Sequence, residues 1–170
     1  MDIFVIKVVD ADEVHRELLK EFEKKQISDS KKWNTHCLSY LMVDRILKEV
    51  YKIENREIVF KNKKPILKTG EKNFSISHSE DYIALAFSDF DCGIDIEKIK
   101  TRDFKKIAKR MNFKCETLEE FYFEWTKFEA EFKLGKDKKN TFVKNYRIGD
   151  YVLTVVSENS EEKFELYFQN

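Results

Sequence analysis

The sequence predicts an α+β fold in which helices pack against antiparallel β-sheet. Three short strand-like segments follow one another closely between residues 73 and 97, with only polar turns between them. Two longer segments, at 31–51 and 117–134, instead carry apolar residues at helical spacing. The chain has 170 residues, so it has room for one compact domain or for two small lobes that share a core.

The first part of the chain is predicted to alternate strand and helix. Ile3–Val9 is rich in β-branched residues and is typical of a buried strand, and Ala11–Lys25 has the apolar spacing of a helix. A second helix is predicted over Lys31–Tyr51, and its apolar stripe consists of Leu38, Leu41, Met42, Ile46 and Val50. Five lysines between Lys61 and Lys72 surround the one proline, Pro65, and indicate a basic loop.

Strands dominate the middle and the end of the chain. Asn73–Ser77, Tyr82–Ser88 and Cys92–Glu97 predict an antiparallel meander, because short polar turns connect them. Tyr151–Val156 and Phe164–Phe168 are predicted to lie at sheet edges.

Capping signals place two helices between these strands. A cap at Thr101 or Asp103 would start a helix that ends at Arg110. Thr117 and Glu120, three residues apart, predict a capping box at the start of the last long helix, which extends to residue 134.

Charge and composition narrow the class of protein. Lys and Arg total 32 and Asp and Glu total 32, so no global field attracts nucleic acid or an anionic membrane. The apolar runs are far shorter than the stretch of about 20 residues that a membrane span needs, and the N-terminus lacks the pattern of a secretory signal. The three cysteines suggest neither a disulfide framework nor a metal knuckle. We therefore expect reduced thiols in a cytoplasmic protein.

A pair of acidic residues marks the strand predicted at Cys92–Glu97. Side chains alternate between the two faces of a strand, so Asp95 and Glu97 share one face while Ile94 and Ile96 share the other. Two carboxylates at this spacing, with Cβ atoms roughly 7 Å apart, can turn toward one hard cation such as Mg²⁺. An edge strand with a wet polar face would carry the same pattern, and the spacing alone favours that structural role.

The last long helix offers a second candidate site. Its apolar residues recur every three or four positions and predict a buried stripe of Phe121, Trp125, Phe128 and Phe132. Glu129 and Lys133 lie at the border of this stripe, where a helix can direct charge into a cleft. An ordinary i,i+4 ion pair on a solvated helix would explain the same two residues without any function.

A histidine between hydroxyl groups is the third candidate. In Ser75-Ile76-Ser77-His78-Ser79 a strand ends beside one of only three histidines. A histidine there can donate a hydrogen bond to a phosphate oxygen, assisted by the hydroxyls and by free backbone N–H groups. More often such a residue satisfies a nearby carbonyl, and no acid–base triad spacing surrounds it.

Taken together and in this order, the three segments resemble the signature blocks of a known family. Phe74–Ser79, Gly93–Lys98 and Trp125–Lys133 are similar to the blocks of the 4′-phosphopantetheinyl transferases, especially those of the surfactin-synthetase type. The resemblance covers Lys63–Lys133, whereas the first 60 residues and the C-terminal strands match only in general character.

The resemblance implies an architecture. Members of this type consist of two similar α/β lobes related by a pseudo-twofold axis, each with antiparallel sheet packed against helices, and the cofactor lies in the cleft between them. The lobes are expected at residues 1–70 and 71–170, and the second would carry the metal and catalytic blocks. Because the two lobes already form a pair, we expect a monomer.

The resemblance also implies a reaction. Such enzymes transfer the 4′-phosphopantetheine arm of coenzyme A to a serine of an acyl or peptidyl carrier protein, with Mg²⁺, and release adenosine 3′,5′-bisphosphate. The expected partners are therefore coenzyme A and a carrier protein, and neither nucleic acid nor a membrane. The carrier protein would serve fatty acid, polyketide or nonribosomal peptide synthesis.

The family pattern assigns roles to particular residues. Asp95, Glu97 and Glu129 would be the metal ligands, and Asp95 and Glu129 would also be catalytic, Glu129 as the general base. Lys133 would hold the pyrophosphate and protonate or stabilise the leaving group. Coenzyme A would be contacted by His78, Ser77, Lys64, Pro65 and Lys133.

One departure from the family keeps a second function open. The family commonly has a lysine immediately before the glutamate of the third block, whereas this chain has Phe128, and Lys127 points nearly opposite. A catalytically degenerate module that binds coenzyme A or a carrier protein is therefore the alternative, followed by a purely structural domain. Similarly, the basic helix face of Lys105, Lys106, Lys109 and Arg110 would be either a carrier-protein docking surface or a solvated face.

Overall fold

Three helices and nine strands lie within the residues that the computed structural model describes, namely 1–8, 30–135 and 141–169. The helices are α1 (Ser30–Glu49), α2 (Phe104–Met111) and α3 (Leu118–Leu134). The strands are β1 (Asp2–Lys7), β2 (Ile58–Lys61), β3 (Lys64–Leu67), β4 (Asn73–Ser79), β5 (Tyr82–Ser88), β6 (Cys92–Lys98), β7 (Phe142–Ile148), β8 (Tyr151–Ser157) and β9 (Glu165–Gln169). The α+β prediction is confirmed, and the helix predicted at Ala11–Lys25 lies outside the described residues.

The strands form two larger sheets and a hairpin. The four-stranded sheet has the order β4-β5-β1-β9, with β1 and β9 parallel, and the three-stranded sheet has the order β6-β8-β7. The predicted meander is wrong for its third strand, because β6 pairs with β8 instead of β5. The reason is that β4 and β1 already occupy both edges of β5.

The two larger sheets pack against each other through apolar side chains. Alternate residues of β1 and β5 face alternate residues of β6 and β8, because successive side chains of a strand point to opposite faces. This sheet interior consists of Ile3, Val5, Ala84 and Ala86 from the four-stranded sheet and of Ile94, Ile96, Leu153 and Val155 from the three-stranded sheet. All eight side chains are buried.

Helices cover the outer faces of both sheets. α1 packs on the four-stranded sheet, where its Val43, Ile46 and Leu47 contact a cluster that includes Phe4, Ile83, Leu85 and Phe87. α3 packs on the three-stranded sheet against Val152 and Val156. β8 is thus buried on both faces in the centre of its sheet, and the prediction of an edge strand at Tyr151–Val156 is wrong. β9 does lie at an edge, as predicted for Phe164–Phe168.

In each of the two predicted apolar stripes, the last residue is exposed and not buried. Val50 is 52% exposed because α1 ends at Glu49, one residue before it. Phe132 is 73% exposed, because the buried face of α3 continues through the small Ala130 to Leu134. The capping box predicted at the start of α3 is confirmed, whereas Asp103 precedes α2 without a side-chain capping bond.

The predicted basic loop is a β-hairpin. β2 and β3 pair antiparallel and are joined by Asn62 and Lys63, which both have positive φ, of 51° and 67°. Two residues with positive φ form the type of turn whose twist matches that of a two-stranded hairpin. The lysines of this segment are therefore held on a defined scaffold.

The four-stranded sheet takes β1 from residues 1–70 and β4, β5 and β9 from residues 71–170. The division into two pseudo-symmetric lobes at residue 70 stays a prediction. No helix in the described ranges is both long and apolar enough to cross a lipid bilayer.

Candidate functional site

The site begins at a seam between the edges of the two large sheets. The hydroxyls of Ser75, Ser77 and Ser79 on β4 accept hydrogen bonds from the backbone N–H groups of Ile94, Ile96 and Lys98 on β6, at 3.1, 3.2 and 3.1 Å. Successive partners are two residues apart on both strands, so the serines follow the period of the sheet. We call these six groups the serine seam. The serine hydroxyls thus provide hydrogen-bond acceptors for backbone N–H groups of β6 that are not bonded to β8.

Asp95 is buried at this seam. It is 5% exposed, and its Oδ1 accepts hydrogen bonds from the Ser77 hydroxyl at 2.8 Å and from Lys133 Nζ at 2.8 Å. Its Oδ2 has no hydrogen-bond partner within the described part of the chain. Burial raises the pKa of this carboxyl, against the opposing effects of Lys133 and Ser77. The alternative of a wet edge strand is therefore wrong for Asp95.

Glu97 and Glu129 complete a cluster of acids with Asp95. Glu97 is half-buried, and its Oε2 accepts a hydrogen bond from the Ser79 hydroxyl at 3.1 Å. Burial raises the pKa of Glu97, and the nearby charges of Asp95 and Glu129 raise it further. Burial and the charge of Asp95 likewise raise the pKa of Glu129. The three carboxylates are thus close enough to repel one another.

Lys133 reaches from the last turn of α3 into this acid cluster. Its ammonium donates to Asp95 Oδ1 and, at 3.0 Å, to the carbonyl oxygen of Ile94. The ion pair therefore joins α3 to β6, rather than joining Lys133 to Glu129 along one helix as the structural alternative supposed.

Close packing of β6 against α3 makes this reach possible. A Cβ atom on Gly93 would lie 1.9 Å from the carbonyl oxygen of Ala130, so only glycine fits at that position. Thr126, also on α3, forms a 2.6 Å hydrogen bond with Thr154 of β8 and accordingly fixes the helix on the sheet. The glycine and the threonine pair hold Glu129 and Lys133 over the strand that carries Asp95.

A cleft of about 920 Å³ lies beside the ion pair. The predicted site residues that line it are Lys64, Pro65, Ser77, His78, Asp95 and Lys133. Glu97 and Glu129 are not among its lining residues. The cleft also has a wall that the sequence did not predict, formed by His36, Ser39 and Tyr40 of α1. The sequence feature that could have predicted this wall is the pair of polar residues, His36 and Ser39, beside the apolar stripe of α1.

Positive and neutral donors surround this cleft. Lys64 Nζ donates to the carbonyl oxygens of Cys92 and Leu134 at 3.3 and 3.4 Å, so it links the hairpin to β6 and to the end of α3. Burial lowers the pKa of His78, and the charges of Lys133 and His36 lower it further. A lowered pKa favours the neutral imidazole, which carries one N–H.

The acid cluster has the chemistry of a cation site without a ready-made geometry. Among residues 1–8, 30–135 and 141–169, no three His, Cys, Asp or Glu side chains form a group that could hold a metal ion as they stand. Nevertheless, the unpartnered Oδ2 of Asp95 and the mutual repulsion of the acids are both relieved by a bound cation. The chemistry of these carboxylates, though not their present arrangement, suits a hard cation such as Mg²⁺, and the ligand assignment of Asp95, Glu97 and Glu129 stays a prediction.

Comparison with known proteins agrees with the sequence blocks. The 4′-phosphopantetheinyl transferase psf-1 of Bacillus pumilus is 31% identical to this chain over 112 residues. The matched region covers 57% of this chain and 48% of the relative, so the chain spans about half the length of the curated relative it matches. No family model matches the chain. The chain is therefore similar to a 4′-phosphopantetheinyl transferase, which supports the superfamily, and the surfactin-synthetase type stays a prediction.

Proposed function

We propose that the chain transfers the 4′-phosphopantetheine arm of coenzyme A to a serine hydroxyl of an acyl or peptidyl carrier protein. One observation carries this proposal: residues of all three sequence blocks, His78, Asp95 and Lys133, line the same cleft. These blocks are far apart in the chain, so their convergence is a property of the fold. A monomeric cytoplasmic enzyme is part of the same proposal.

The basic hairpin supports binding of coenzyme A. Lys61, Lys63 and Lys64 line the cleft, and Lys133 lies across it. Coenzyme A carries a pyrophosphate and a 3′-phosphate, and clustered lysines on a chain with no net charge provide a local seat for such anions. Neutral His78 would donate a hydrogen bond to a phosphate oxygen.

The acid cluster would hold Mg²⁺ through Asp95, Glu97 and Glu129. When bound, the metal would neutralise charge on the phosphates that flank the bond to be broken. Lys133 uses two of its three N–H donors on Asp95 and Ile94. The third donor can bind a phosphate oxygen, so Lys133 would orient the pyrophosphate and stabilise the charge that develops on the leaving group.

Glu129 would act as the general base. Its raised pKa makes it a better proton acceptor than an ordinary carboxylate. It would take the proton of the carrier serine as the serine oxygen forms a bond to the phosphorus next to pantetheine. The bridging P–O bond of the pyrophosphate breaks, and adenosine 3′,5′-bisphosphate leaves with the electron pair.

The exposed basic face of α2 would receive the carrier protein. Lys105, Lys106, Lys109 and Arg110 are all exposed, and they lie on the helix that follows β6. Carrier proteins are typically acidic helical bundles, so charge complementarity would guide docking. A merely solvated face remains the alternative for these residues.

Transfer can be tested directly by mass spectrometry. The protein is incubated with coenzyme A, Mg²⁺ and a panel of apo carrier proteins, and we expect one carrier to gain the mass of a phosphopantetheine. Glu129→Gln should slow the transfer at least about 100-fold, since it removes the proton acceptor. Glu124→Gln, the same change elsewhere on α3, is the matched control and should leave the rate near wild type.

Two results would contradict the proposal. If coenzyme A binds but no carrier gains mass, the chain is the degenerate binding module, the alternative that Phe128 motivates. If transfer occurs and Glu129→Gln transfers at the wild-type rate, the site assignment is wrong.

A further inference from the structure

The serine seam contains two kinds of serine. All three hydroxyls accept a hydrogen bond from β6, so each helps to join the sheets. Ser77 and Ser79 in addition donate to carboxylates, Ser77 to Asp95 Oδ1 and Ser79 to Glu97 Oε2. For Ser75, no hydrogen bond to a carboxylate is found in the described ranges.

A hydroxyl can accept a hydrogen bond from a backbone N–H and also donate one to a carboxylate, because it has one donor and two acceptor positions. The backbone N–H of β6 fixes each serine oxygen, so the O–H of Ser77 and of Ser79 is held at a fixed place relative to β6. Each of these two bonds uses one oxygen of its carboxylate. The second oxygen, Oδ2 of Asp95 or Oε1 of Glu97, takes no part in the bond. Oδ2 of Asp95 is the buried oxygen without a partner.

We propose that Ser77 and Ser79 are positioning residues that orient Asp95 and Glu97 toward a divalent cation. This inference rests on the proposed function, because it assumes the cation. Hydrogen bonds to the ligands of a metal commonly set the orientation of those ligands, and their loss weakens metal affinity about 10- to 100-fold. The same two serines would thereby join the two sheets and set the orientation of the carboxylates in the acid cluster.

Ser79 provides the sharper test, because Ser77 lines the cleft and its removal would also disturb a bound ligand. Ser79 is not among the lining residues and is only half-buried, so Ser79→Ala should fold. Ser79→Thr retains the hydroxyl. Ser75→Ala removes the same kind of backbone acceptor without touching a carboxylate, so it is the structural control. Because Ser75 also lines the cleft, the affinity of each variant for coenzyme A is measured in parallel.

The measurement is Mn²⁺ affinity, obtained from the electron paramagnetic resonance signal of free Mn²⁺ with coenzyme A present. We expect Ser79→Ala to weaken Mn²⁺ binding about 10-fold, Ser79→Thr to restore most of the affinity, and Ser75→Ala to bind Mn²⁺ like wild type. Melting temperatures recorded alongside should fall in both alanine variants, since each leaves a backbone N–H unsatisfied.

Three outcomes would overturn the inference. Wild-type Mn²⁺ affinity in Ser79→Ala would show that the hydroxyl does not orient Glu97. Equal weakening in Ser75→Ala and Ser79→Ala, with unchanged affinity for coenzyme A in both, would show that the serines act only by joining the sheets. Both results leave the proposed transfer intact, whereas failure of wild type to bind Mn²⁺ would overturn the metal assignment together with the positioning role.

Discussion

The two large sheets meet in two regions of opposite character. Between their faces lies the sheet interior, where Ile94 and Ile96 of β6 pack among buried aliphatic side chains. Between their edges lies the serine seam, where Asp95 and Glu97 of the same strand meet hydroxyls and an ammonium group. One strand thus presents alternate residues to a dry apolar layer and to a charged one.

The comparison separates what stabilises the fold from what the site requires. Burial of aliphatic side chains in the interior favours folding. A buried carboxylate with an unpartnered oxygen, together with acids that repel one another, opposes it. A sequence retains such a cost where function needs it, so we infer that the seam is the functional region and that the interior is its support.

The largest predicted effect is in the interior. Ile96→Ala should lower the free energy of unfolding by about 4 kcal/mol, because it removes a fully buried side chain and leaves a cavity. Val50→Ala truncates a side chain that is 52% exposed and should change stability by less than about 0.5 kcal/mol. Urea unfolding measures both. Equal losses in the two variants would show that burial in the interior is not the main source of stability.

The contact that places α3 over β6 should be nearly as sensitive. Gly93→Ala should cost about 3 kcal/mol, since the added Cβ meets the backbone oxygen of Ala130 and neither backbone can move without repacking. Gly149→Ala is the control: it has open space but a φ of +53°, so strain alone should cost about 1 kcal/mol. If Gly93→Ala is the milder of the two in urea unfolding, the close approach is not rigid.

Loss of the Lys133 ammonium group should have an intermediate effect on stability, and this effect should depend on pH. Lys133→Gln should lower stability by about 2 kcal/mol at pH 8, because it leaves Asp95 buried without its ion partner. The folded-state pKa of Asp95 is already raised, and loss of Lys133 raises it further. When the pKa of a carboxyl is raised in the folded state, the folded protein becomes less stable as the pH rises through that pKa. The stability lost in Lys133→Gln should therefore be smaller at pH 5 than at pH 8.

Melting curves at pH 5 and pH 8 check this behaviour. A cost that is the same at both pH values would mean that the variant leaves the ionisation of Asp95 unchanged, which would contradict the arrangement of the seam.

The smallest predicted effect has the opposite sign. Glu97→Gln should raise the melting temperature by about 2 °C at pH 8, because it removes a charge that Asp95 and Glu129 repel. The gain should vanish at pH 4, where Glu97, with its raised pKa, is protonated in the folded wild type. The hydroxyl of Ser79 can still donate to the amide oxygen, so the seam stays closed. A lower melting temperature at pH 8 would show that Glu97 stabilises the fold.

The sequence predicted those parts of the fold that depend on local interactions. The capping box of Thr117 and Glu120 and the extent of β5 follow from neighbouring residues. The predicted ends of β4 and β6 were two residues and one residue too early, because β4 continues to Ser79 and β6 to Lys98. The pairing of β6 with β8 could not be predicted locally, because it joins segments about sixty residues apart. The central position of β8 did have a signal: Tyr151–Val156 is nearly all apolar, which is typical of a strand buried on both faces.

The sequence named candidate site residues one by one but did not predict their arrangement. The resemblance singled out Asp95 and Lys133, yet their ion pair depends on how closely α3 packs on β6. The serine seam was also missed, although Ser75, Ser77 and Ser79 alternate along β4. Alternation shows that they share a face, and only the neighbouring edge of β6 reveals what that face binds.

A crystal structure with coenzyme A and Mg²⁺ tests the central claim most directly. We predict electron density for the pyrophosphate in the cleft between Lys64 and Lys133, and a metal ion bound by Asp95. Coenzyme A bound at another surface, or bound in the cleft with its pyrophosphate turned away from Asp95 and Lys133, would contradict the account.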